Sequence, residues 1–96
     1  MYKQFTIDGA AITDWKAFHN VFKETLNFPE YYGANMDAWI ESMAEIKESL
    51  LITVTDSETL KENSEEIYFT LLECVALVNS IKLDEGDESV IAVSLD

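Results

Sequence analysis

Two periods of apolar residues alternate along the chain. From Tyr2 to Asp8, Phe5 and Ile7 share one side of an extended segment, which predicts a strand closed by a turn at Asp8-Gly9. Thr13-Asp14 then opens a helix running to about Asn27. Trp15, Phe18, Phe22 and Leu26, with Val21 beside them, repeat at three and four residues as one amphipathic face. Phe28-Pro29 ends it, because the residue before proline is pushed out of the α region.

A tight loop follows. Pro29 sets its own φ and Gly33 is able to take a positive one. Asn35 stands where the next helix wants its N-cap, and Met36, Trp39, Ile40 and Met43 fall at i, i+3, i+4 and i+7 on a buried face. This helix is expected to finish near Lys47. Asp37 and Glu41 lie on another face, which Glu45 and Glu48 continue. Like charges at i, i+4 cost an isolated helix roughly 0.2–0.5 kcal/mol. Helix stability does not call for that pair; a positively charged partner does.

Leu50 to Thr55 is a short, nearly continuous apolar run rich in β-branched residues, which predicts a strand covered on both faces. Asp56-Ser57-Glu58 reads as a turn leading into one or two helical turns through Leu60. Asn63 with Glu66 resembles a capping box and opens a helix carrying Ile67, Leu71, Cys74, Val75 and Val78 to near Ser80. The acidic turn Asp84-Glu85-Gly86-Asp87-Glu88 leads to a last apolar strand, Val90 to Leu95. Strands separated by helices predict parallel pairing, hence an α/β fold of a three-stranded parallel sheet with about four helices. Residues 1–96 form one domain, with strand order left open.

Composition changes the picture in one respect. A hydrophobic share of 48% and a charged share of 26% are those of an ordinary globule. Six basic residues against nineteen acidic ones, however, give a net charge of -13, with a pI near 4.1. Such a surface repels nucleic acid and anionic membranes and speeds encounters with basic proteins. The single cysteine, Cys74, allows no intrachain disulfide and suits a reducing compartment. The first residues lack the basic and apolar regions of a signal peptide, so a cytoplasmic protein, monomeric when free, is the expectation.

Candidate chemistry is sparse. His19, the only histidine, has no Cys or Ser partner nearby in sequence and reads as a surface or boundary residue. Cys74 lies on the apolar side of its helix and reads as core. The acidic turn lacks the ligand spacing of a calcium loop, and no Cys and His spacing fits zinc. Asp37 and Glu41 on one exposed helix lack the cleft that a glycosidase pair needs. The expectation is a protein that is no enzyme and carries no cofactor or metal. Tyr31 and Tyr32 read as one exposed and one buried ring, with Tyr31 a candidate interface anchor. Trp39, at the apolar spacing, reads as core.

The stretch Pro29-Glu30-Tyr31-Tyr32-Gly33-Ala34-Asn35-Met36-Asp37-Ala38 closely resembles the signature of the barstar family, intracellular inhibitors of the ribonuclease barnase. The resemblance implies the same three-stranded parallel sheet with four helices. It also implies a protein partner, a basic ribonuclease or ribonuclease toxin domain, met by Tyr31, Asn35, Asp37 and Glu41, with Asp37 and Glu41 at the centre. Glu45, which continues their face by helical spacing, is a further partner-binding candidate. A late-helix glutamate belongs to the family's contact set, and Glu73 is its nearest candidate. In chemical terms, carboxylates on a rigid helix can take the positions of phosphate oxygens in a site lined with cations. Departures are visible. Glu41 stands where the family has an aspartate, Trp39 and Ile40 replace a tryptophan placed directly before that acid, and Glu45-Ile46 replaces a glycine–tryptophan pair. These imply a partner whose contact geometry differs from that of barnase. The rival reading from another class is an acidic adaptor for a basic partner that is not a nuclease.

Overall fold

The structure is a computed structural model describing residues 1–96. Its elements are β1 (Lys3–Asp8), a 3₁₀ turn (Gly9–Ala11), α1 (Trp15–Leu26), α2 (Met36–Ala44), β2 (Leu50–Thr55), α3 (Ser57–Asn63), α4 (Glu65–Asp84) and β3 (Ile91–Leu95). The sheet has the order β1-β2-β3 with every pair parallel. Each strand therefore returns to the same end of the sheet through helices, as parallel pairing requires.

The register separates the two faces. Phe5, Ile52 and Val93 stand side by side, as do Leu50 and Ile91, and Ile7 and Val54. Against this face pack Phe18 and Phe22 of α1, Trp39 and Met43 of α2, Leu60 of α3, and Ile67, Leu71, Val75 and Val78 of α4. The opposite face carries Gln4, Thr6, Leu51, Thr53, Ala92 and Ser94, none of them buried. β2 is thus covered on one side only, contrary to the expectation from its apolar run. Its threonines are β-branched, so they favour a strand while tolerating water.

The helix boundaries follow from their caps. Asp14 accepts from Ala17 N at 2.8 Å to open α1, and Asn27, in the left-handed region at φ 55, closes it. α4 is opened by Ser64, whose Oγ accepts from Ile67 N at 3.2 Å, and not by Asn63, which is the last residue of α3. Ser64 is extended (φ -159) and serves as the C-cap of one helix and the N-cap of the next. α4 continues four residues beyond Ser80 to Asp84, because Lys82, polar in sequence, is fully buried here. The ammonium of Lys82 donates to the carbonyl of Ile46 and lies 3.5 Å from Asp87 Oδ2. Gly86, at φ 77, then turns the chain toward β3.

Gly9 is a packing position. A Cβ there would lie 2.6 Å from the carbonyl oxygen of Thr55 and 2.9 Å from that of Asp56, so the 3₁₀ turn touches the end of β2 backbone to backbone.

Candidate functional site

α2 is capped by Asn35, whose Oδ1 accepts from Ala38 N at 2.8 Å. Its buried side is Trp39 and Met43, both without exposure, with Met36 and Ile40 half-buried. Trp39 sits 5.5 Å from the ring of Phe22 and 6.1 Å from that of Phe18. This is the core role expected of it. The helix stops at Ala44, with Glu45 as its C-cap, three residues short of Lys47.

The outward side carries Asp37, Glu41 and Glu45, all exposed, at i, i+4 and i+8. Asp37, in the first turn, is favoured by the helix dipole, whereas Glu45 at the C-terminal end is opposed by it. None of the three makes an ion pair within the chain; its four salt bridges lie elsewhere. A row of three like charges without internal partners raises the energy of the free protein.

The loop before α2 is pinned by one tyrosine and presents the other. Tyr32 OH lies 2.5 Å from His19 Nδ1, and its ring is 4.9 Å from that of buried Phe28. His19 is therefore not at the surface. It is only 5% exposed, with Trp15 stacked at 6.0 Å. Burial lowers its pKa below 6.5 and pushes the Tyr32 phenol up to about 12. Two neutral groups then share the hydrogen bond, its direction set by the imidazole tautomer. Tyr31, one residue earlier, is 86% exposed. The positive φ expected of Gly33 falls instead on Ala34, at φ 51. A non-glycine residue there costs about 1–2 kcal/mol, a strain held in the loop that presents Tyr31.

Two clefts flank the acidic row. The first, about 150 Å³, lies between Tyr31 and the Glu41–Glu45 ridge. The second, about 380 Å³, lies on the α4 side and brings Asp37, Glu41 and Glu45 together with Lys47, Ile81 and Glu85. Tyr31, Asp37, Glu41 and Glu45 therefore form one continuous surface, with the exposed Asn35 as the cap of its helix. Glu73 lines neither cleft; it is exposed twelve residues earlier on α4 than Glu85, roughly 18 Å along the axis. Glu85 lies beside α2, in the second cleft. It belongs to the acidic turn from Asp84 to Glu88, and only the packing of α4 against α2 reveals its position.

Cys74 is half-buried and free, and burial, then Glu73, raise its pKa, the opposite of an activated thiol. No group of three or more His, Cys, Asp or Glu side chains could hold a metal ion. No helix is long and apolar enough to cross a membrane.

A family model described as Barstar (barnase inhibitor) matches residues 2–94. No curated protein matches the chain significantly.

Proposed function

The chain belongs to the barstar family, and on that premise we propose that it inhibits a basic ribonuclease by covering its active site with α2 and the preceding loop. The observation that carries this reading is the exposed, internally unpaired row Asp37, Glu41 and Glu45 on a helix anchored by Trp39 and Met43. A ribonuclease holds phosphate oxygens with cations, and carboxylates fixed in space can replace those oxygens with charge-assisted hydrogen bonds. The helix pre-orders them, so less entropy is lost on binding. Tyr31 adds a large, exposed ring with a polar tip beside the row. The net charge of -13 draws a basic partner in from a distance, and salt weakens that attraction.

The protein acts in the cytoplasm of the cell it protects, as a monomer until it meets its partner, a basic ribonuclease or a ribonuclease toxin domain. Glu41, one methylene longer than aspartate, suits a partner other than barnase.

The test is inhibition of a panel of purified basic microbial ribonucleases, barnase included, at low and high salt. Salt-sensitive inhibition of at least one, abolished by Asp37→Ala with Glu41→Ala, is the expected result. No inhibition across the panel sinks the reading and leaves an acidic adaptor for a basic non-nuclease partner.

A further inference from the structure

The acidic face contains one cation. The chain has six lysines and no arginine, and Lys47 is the single basic side chain lining either cleft beside α2. It stands in the corner where α2 meets the end of α4. Its ammonium donates to the Ala44 carbonyl at 3.3 Å and lies 3.9 Å from Glu85 and 3.7 Å from Asp87. The side chain remains 62% exposed, so a docking protein reaches it. Lys82 beneath it is fully buried and out of a partner's reach.

We propose that Lys47 is a specificity-determining residue of this face. It selects a ribonuclease that presents a carboxylate to the α2–α4 corner and rejects one that presents a cation there. The inference rests on the ribonuclease reading above and adds a feature to the partner. Cations delivered to Asp37 and Glu41 meet unpaired carboxylates. A cation delivered to Glu85 instead meets a carboxylate whose ammonium is already in place. In water that repulsion is screened; in a closed interface it is not, and like charges brought together there are costly. The bond to the Ala44 carbonyl holds the ammonium in the corner. Glu85 and Asp87, at 3.9 and 3.7 Å, neutralise the ammonium without accepting a hydrogen bond from it, so sealing it in leaves donors beyond the one used by Ala44 without an acceptor, which is costly as well. A carboxylate on the partner resolves both costs with a charge-assisted hydrogen bond.

The experiment measures dissociation constants of the wild type, Lys47→Met and Lys47→Glu against the same ribonuclease panel. The ribonuclease bound most tightly by the wild type should lose about tenfold or more in affinity with Lys47→Glu and less with Lys47→Met. At least one weakly bound ribonuclease should gain, so that the order of preference changes. Lys47→Met introduces no new repulsion toward Glu85 or Asp87, so it still reports if Lys47→Glu fails to fold. A parallel tightening of every ribonuclease by both variants would mean only long-range attraction and overturns the inference, as does a change within about twofold throughout. Wild-type protein that binds no ribonuclease refutes the underlying reading, and this inference falls with it.

Discussion

Lys82 allows the account of the α2–α4 junction to be tested by a single substitution. Its stem is wholly buried, and its ammonium ties the Ile46 carbonyl, just past the end of α2, to Asp87, just past the end of α4. Lys82→Met keeps an apolar stem of similar length and removes the charge. The Ile46 carbonyl then loses a hydrogen bond from a charged donor, worth about 1.5–3 kcal/mol. Breaking a buried ion pair from one side usually costs about 3–5 kcal/mol. Here the cost is smaller, because Asp87 keeps Lys47 at 3.7 Å and two hydrogen bonds from Ser89, at 2.9 and 2.7 Å. Removing a buried ammonium also returns part of its desolvation cost. The net expectation is a loss of about 2 kcal/mol, out of roughly 5–14 kcal/mol for a domain of this length. That corresponds to a fall in Tm of about 8–16 °C, read by circular dichroism and checked by urea titration. A variant as stable as the wild type, or more so, would show that desolvation outweighs the tie and refute the reasoning.

Other consequences can be measured separately. Asp87 is held down at about 2, first by its hydrogen bonds from Ser89 and then by Lys82, against an ordinary 3.8. Its folded pKa is depressed, so its contribution to stability is present above about pH 4 and is lost as pH falls through about 2; Asp87→Asn should flatten that part of the acid denaturation curve. Tyr32 is shifted the other way, from 10 to about 12, so its contribution is complete below pH 10 and disappears between pH 10 and 12. Urea midpoints of Tyr32→Phe should fall less steeply over that interval than those of the wild type, and equal slopes would contradict the burial argument. Gly9→Ala places a methyl group against two backbone carbonyls and should cost about 3 kcal/mol in denaturant titration; a neutral outcome would mean the turn moves freely. Glu41→Ala should weaken binding to the inhibited ribonuclease by about 2–5 kcal/mol, the range for truncating one side of a buried charge pair, of which barnase and its inhibitor are themselves an example. Coupling below about 1 kcal/mol to every active-site cation in double-mutant cycles would rule Glu41 out as the central anchor.

Much of this architecture was legible in local signals. Leu50 to Thr55 is the observed β2, and Asp14 and Asn35 are the observed caps, because short-range hydrogen bonding decides such positions. What was not legible depends on tertiary pairing. His19 reads as a surface or boundary residue and nothing in the sequence marks Lys82 for burial, yet each is buried against a partner, 13 and 36 residues away respectively. The half-open second face of the sheet was hidden because threonine is β-branched without being greasy. Ala34 takes the left-handed backbone that Gly33 was expected to provide, so the loop's strain is invisible to a rule about glycine. The same limit applied to the site. The row Asp37, Glu41 and Glu45 follows from helical spacing alone, while Glu85 and Lys47 join it only through the contact of α2 with α4.

The central claim is that the α2 carboxylates occupy the phosphate positions of a ribonuclease active site. Competition between this protein and a nucleoside monophosphate for the inhibited ribonuclease tests it most directly. The account predicts strict competition, with the apparent dissociation constant rising in proportion to nucleotide concentration and no ternary complex. A ternary complex, with the protein's affinity unchanged at saturating nucleotide, would place α2 away from the phosphate sites and contradict it.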